Sequence, residues 1–135
     1  MKTLNLFVGL LLALFVIVGC SSDDNTNNDN NLILGVWSES RYKASDFNNQ
    51  NWYNLTEPIT LEFLSNKTFV DRYNGSIDGG GTWSISGKTL KMTYQDEEWG
   101  SETIHYEILV LDETTLQVKE SFGEEEWEII EYIKE

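Results

Sequence analysis

A single cysteine, Cys20, and a single histidine, His105, limit the chemistry open to this 135-residue chain. Together they supply no set of soft ligands for zinc or another transition metal, so no metal site is expected. With no second cysteine, no disulfide can form within the chain. His105 alternates with Ile104, Tyr106 and Ile108, which places it on the polar side of its segment, facing solvent. A Ser-His-Asp site would need it in a cleft with partners. The runs Asp96-Glu97-Glu98 and Glu124-Glu125-Glu126 lack the spaced Asp, Asn and Gly of a calcium loop and read as solvated turns. Gly79-Gly80-Gly81 leads into Trp83 on a strand, with no helix N-terminus to hold an anion, and reads as a flexible hairpin loop. No carboxylate pair stands out from the acidic background for glycoside hydrolysis. No catalytic residue and no cofactor are expected, and the chain is not read as an enzyme; an undetected hydrolase is the outlying alternative.

The elements that position these residues are strands. From Leu32 onward no run has a helical period, while apolar residues recur at every second position. Ile59, Leu61 and Phe63 alternate with Thr60 and Glu62, and Leu90, Met92 and Tyr94 alternate with Thr89, Lys91 and Thr93. Ser65-Asn66-Lys67, Ser86-Gly87-Lys88 and Asp112-Glu113-Thr114 are short hairpin connections that make neighbouring strands antiparallel. Eight strands are predicted, near 32–42, 57–64, 68–73, 81–86, 89–94, 102–111, 115–122 and 126–133. Their exposed edges vanish if the sheet closes into an eight-stranded antiparallel up-and-down barrel; a two-sheet sandwich is the structural rival. A barrel of this size holds side chains and one small ligand. Tyr73, Trp83, Met92 and Tyr106 then face inward as an apolar wall, or simply fill the core. The connection from Lys43 to Asn54 carries Phe47, Trp52 and Tyr53 outside the alternating pattern.

Upstream of the strands the chain is organised for export. Lys2 supplies a positive start, and Leu4 to Val18 form an almost unbroken apolar run that ends in Gly19 before Cys20. The run falls short of the roughly 20 apolar residues of a membrane span, so residues 1–19 read as a cleaved signal peptide. Residues 21–31 hold only Ser, Asp, Asn and Thr, cannot bury apolar surface, and are expected to form a disordered tether. A coil of that length reaches roughly 18 Å. Residues 32–135 are then one domain with one core. Loss of the leader removes Lys2 from the 9 basic residues that face 23 acidic ones, taking the formal charge from −14 to −15. Nucleic acid and anionic headgroups are repelled at long range by such a charge, so no nucleic-acid partner is expected.

Three resemblances sharpen this reading. Ile17-Val18-Gly19-Cys20 resembles the lipobox of bacterial lipoproteins, which implies thioether- and amide-linked acyl chains, such as palmitate, on Cys20 and a stable membrane anchor. Ser21-Ser22-Asp23-Asp24 is similar to the acidic export signal of Bacteroidetes lipoproteins, which implies an outer-membrane location and exposure at the cell surface; alternatively the aspartates only solvate the tether. Leu34-Gly35-Val36-Trp37 resembles the Gly-x-Trp signature of lipocalins, which implies a barrel plugged at one end by Trp37. Ile59 to Phe69, Gly81 to Leu90 and Leu109 to Val118 are similar to bacterial lipocalin-like lipoproteins of Bacteroidetes. The arginine that lipocalins place over the plug tryptophan is absent; Lys134 stands in its place without a planar cation. By resemblance, Phe47, Trp52 and Tyr53 lie across the open mouth. The expected molecule is a monomeric lipoprotein that holds a small apolar ligand inside its barrel. The alternative is an envelope interaction module whose packed barrel docks a protein or glycan.

Overall fold

The computed structural model describes residues 25–46, 51–96 and 100–135, where the alternating pattern becomes nine strands behind one short helix. After α1 (Asn25–Leu32) come β1 (Gly35–Ala44), β2 (Tyr53–Asn54), β3 (Ile59–Phe63), β4 (Thr68–Tyr73) and β5 (Ser76–Ser86). They are followed by β6 (Thr89–Asp96), β7 (Gly100–Leu111), β8 (Thr115–Ser121) and β9 (Trp127–Lys134). From β3 to β9 each strand pairs antiparallel with the next, and β1 pairs with both β3 and β9. That closes an eight-stranded up-and-down barrel, as the strand pattern and the edge argument predict. The short β2 extends the β3 side of β1, pairing Tyr42 with Tyr53.

Closure assigns alternate residues to the interior. Trp37, Leu61, Phe63, Phe69, Trp83, Ile85, Leu90, Met92, Ile108, Leu116, Val118 and Tyr132 form one buried cluster with Ile33. Most of them crowd toward the end of the barrel where α1 lies. Among the described residues the core, the helix contacts and the closing ladder fall within residues 29–135, all of them present in a chain beginning at Ser21.

Two expectations about irregular segments are corrected. The tether expected to run disordered through residue 31 is helical from Asn25. Asparagine is a poor helix former, so contacts rather than propensity hold α1 in place. Ile33, directly after it, is completely buried, Lys67 Nζ donates to Asn30 Oδ1 at 2.6 Å, and Lys134 Nζ donates to the Leu32 carbonyl at 2.8 Å.

The glycine run 79–81, expected as a flexible hairpin loop, lies inside β5. The connection is instead the two-residue turn Asn74–Gly75, whose φ angles of +55° and +77° match the type I′ geometry that suits the twist of flanking strands. Gly81 sits between Phe69 on β4 and Tyr94 on β6, whose rings meet edge to face at 4.8 Å between centroids. A Cβ at Gly81 would fall 1.9 Å from the Thr93 carbonyl oxygen, so the glycine lets neighbouring backbone approach while the two rings cover it.

Gly81→Ala is therefore expected to cost about 1–3 kcal/mol of stability through forced backbone movement. Gly79→Ala is the control, because its Cβ would meet nothing nearer than 3.8 Å. Urea unfolding of both variants checks this: the Gly81 variant should lose midpoint with an unchanged slope, and equal midpoints for the two would refute the packing role.

Candidate functional site

The two ends of the barrel are built differently. At the α1 end, Trp37 is fully buried and its indole N–H donates to the Ile33 carbonyl at 2.7 Å. Lys134 Nζ lies 5.0 Å from the Trp37 ring centroid, a cation over an aromatic face. Gly35 holds φ +120°, and a Cβ there would press to 3.1 Å from Lys134 Cε, so glycine both permits the backbone turn and lets the lysine cross. Beside it, Trp83 donates from its indole N–H to the carbonyls of Leu64 and Thr68, stands edge-on to Phe63, and is covered by Lys67 Nζ at 3.9 Å. This end is shut.

The opposite end is polar. Following the inward parity past the core, Trp37 leads to Glu39, Phe69 to Asp71, Val118 to Glu120, Ile130 to Glu128, and Ile104 to Glu102. Opposite Glu39 across the closing ladder is Tyr132, whose hydroxyl donates to Glu39 Oε1 at 3.2 Å. Tyr94 and Tyr106 complete an upper wall of phenols and carboxylates.

These groups perturb one another. Burial pushes the Glu39 carboxyl above its ordinary value, the Tyr132 hydrogen bond draws it back in part, and Asp71 and Glu128 push it further up. Asp71 is raised by burial and by Asp78, Glu120 by burial with Glu128 and Glu102, and Glu128 by burial with Asp46. Burial, reinforced by the same carboxylates, drives the hydroxyls of Tyr94, Tyr106 and Tyr132 well above their ordinary range, so they stay protonated.

Two cavities open at this rim. One of about 290 Å³ is bordered by Tyr42, Asp46, Phe122, Glu126, Trp127 and Glu128. The other, of about 580 Å³, is bordered by Asp78, Gly79, Tyr94, Gly100 and Glu102 among others. Neither lining contains a lysine or arginine. Among the described residues no three of His, Cys, Asp or Glu converge to hold a metal ion.

A model of the lipocalin-like domain family matches residues 33–118 of this chain. The chain belongs to the lipocalin-like domain family. Its fold also matches the crystal structure of a lipocalin-like protein from Bacteroides uniformis with a TM-score of 0.52 at 15% identity, over 73% of this chain and 96% of that one. None of the curated proteins compared with it matches.

Within this lipocalin-like barrel the expected site residues separate. Trp83 and Met92 are buried at 3% and 1% exposure in the packed core, so they form the floor and leave no surface for a ligand. Tyr106 alone of the expected wall faces the open half, partly buried. Tyr73 ends β4 exposed at the rim, where its hydroxyl bonds Glu57. Tyr53 stands beside Tyr42 at 5.8 Å between centroids, near the mouth. Trp52, expected across the mouth, lies on the outer face instead: strand alternation turns it to the side of Arg41, whose guanidinium sits 4.5 Å from its ring centroid. Phe47 and Cys20 lie outside the described residues. His105 is exposed.

The expected apolar wall is thus corrected to an acidic, tyrosine-rich one. The signal was present in the sequence: each carboxylate stands two residues from an inward apolar residue, in the same phase. On the outer face the chain neutralises its buried acid. Glu131, 6% exposed, receives Arg41 at 2.7 and 2.9 Å and Gln117 at 2.6 Å, which hold its carboxyl below the usual range.

A pH dependence follows. Glu39, Asp71, Glu120 and Glu128 bind protons more tightly in the fold than in the unfolded chain. Their stabilisation is full below the ordinary carboxylate range of about 4 to 4.5 and is lost as pH rises through their elevated values. Glu131 and Asp112 are lowered, so theirs is present above that range and lost as pH falls below it. The melting temperature of the chain from Ser21 should rise as pH falls from about 8 to about 5, then drop below about 4. A flat or falling profile between about 8 and 5 would contradict the acidic chamber.

Proposed function

We propose that the mature protein is a lipid-tethered, extracytoplasmic binding protein that holds a small molecule in the open half of its barrel. The observation that carries this reading is the asymmetry of the interior. One end is sealed by Trp37, Lys134 and α1, while the other keeps cavities of about 290 and 580 Å³ whose borders mix half-buried side chains such as Tyr42, Tyr94 and Glu128 with exposed ones. Small-molecule sites are concave, preformed and lined by apolar surface with a few polar groups, and the mouths of β-barrels are a usual place for them. Half-buried Ile104, Tyr106 and Ile130 offer apolar contact below the carboxylates. The tether rests on Cys20 and the apolar run before it, which support acylation and an outer-membrane, surface-exposed location.

Displacement of a fluorescent lipophile from the chain beginning at Ser21, together with native mass spectrometry, tests the reading. Saturable one-to-one binding is expected. It should be lost in Ala44→Trp, which fills the smaller cavity from an inward position opposite Glu128. No saturable binding across a broad panel of lipophiles and amphiphiles would overturn it and leave the docking-module reading. Palmitate labelling of the full chain should be abolished by Cys20→Ala; labelling that persists would remove the anchor from the account.

A further inference from the structure

We propose that the chamber selects ligands bearing a positive charge, a small amine with an apolar body, over carboxylates or neutral molecules of the same size. The inference rests on the proposed binding function and names the chemical class that the site takes.

Charge is sorted across the barrel wall. Both ion pairs among the described residues, Arg41 with Glu131 and Arg72 with Glu62, lie on the outer face. Lys43, Lys91 and Lys119 point outward with them, as their pairings with Ile129, Ser84 and Ile129 show. Lys67, Lys88 and Lys134 belong to the sealed end. No described basic side chain reaches the open half of the interior, where Glu39, Asp71, Glu102, Glu120 and Glu128 all face inward. The chain thus pairs the buried Glu131 with arginine outside yet leaves its inner carboxylates without any cation.

The cavities add a second, independent feature. Tyr42 and Phe122 border the smaller one, with Phe122 57% exposed although it is a large apolar ring; Trp127, also at its border, turns outward, where Lys43 and Lys119 stand over its ring. Aromatic faces set among carboxylates attract ammonium groups through the ring quadrupole and through charge-assisted hydrogen bonds. A fatty acid would bring its own carboxylate into the field of five others, and like charges in a partly desolvated space repel. A metal ion suits the site poorly, because the carboxylates are spread around the wall rather than converged on a point. A bulky organic cation matches both the spacing and the aromatic surface. The direction of the Glu39 and Glu128 shifts agrees: burial raises both carboxyls, and neighbouring carboxylates raise them further.

The test uses three probes with the same chain, dodecylamine, dodecanol and dodecanoate, below their critical micelle concentrations, titrated calorimetrically into the chain from Ser21. Dodecylamine should bind about tenfold more tightly than dodecanol, the scale of one net charge-assisted hydrogen bond, and dodecanoate more weakly than both. The ratio of amine to alcohol affinity should collapse toward one in Glu39→Gln/Glu128→Gln. It should be unmoved in Glu107→Gln/Glu113→Gln, which removes as much charge from exposed positions outside the chamber. An amine preference that survives the first double variant, or falls equally in the second, would assign it to overall charge and overturn the inference. Dodecanol binding without amine preference overturns the inference alone; no binding of any probe overturns the binding function as well.

Discussion

An eight-stranded sheet has two free edges until its first strand meets its last, and here everything else depends on that meeting. The β1–β9 ladder runs from Trp37 opposite Lys134 to Ala44 opposite Glu128. It removes the edges that would otherwise pair with other chains, and it fixes which alternate residue of every strand faces inward. The bulge between Glu39 and Arg41 matters within it. By absorbing one residue, it turns Glu39 and Tyr42 to the interior and Arg41 to the outside, where Arg41 meets Glu131.

Closure creates one interior, which the chain fills by halves. Toward α1 the inward residues are large and apolar and pack into a floor capped by Trp37 and Lys134. Toward the rim they become carboxylates and phenols, most of them half-buried, and the carboxylates raise one another's proton affinity. Natural barrels of this width have room for side chains or for one small ligand. The floor takes the first course, and the rim keeps the cavities on which the proposed binding function rests. Its cost is electrostatic, visible in carboxyls that hold their protons more tightly than they would in water.

Much of the architecture was legible because β structure declares itself by period two and by its turns. The strands 68–73, 89–94 and 102–111 read correctly to within a few residues, since alternation and short polar turns mark both ends. The Asn74–Gly75 hairpin and the strand through Gly79, Gly80 and Gly81 were hidden, because a strand whose ladder partners supply the side chains has no hydrophobic signature of its own. Helix α1 was hidden for a related reason: its asparagines carry no helical signal, and Ile33 and Lys134 hold it from outside its sequence. The site was half legible. Core parity located Trp83 and Met92 inside, yet weighing only apolar residues overlooked Glu39, Asp71, Glu120 and Glu128 in the same phase. Trp52 was misplaced because β2 returns the chain to β1 in a register that turns the indole outward.

The central claim is that this lipocalin-like barrel keeps unpaired carboxylates inside its open half. It is tested most directly by following the side-chain carboxyl carbons of the chain from Ser21 by NMR across a pH series. Glu39, Asp71, Glu120 and Glu128 should titrate above the ordinary range of about 4 to 4.5, and Glu131 below it. If the inner four titrate at or below that range, they are solvated or paired, and the acidic chamber does not exist.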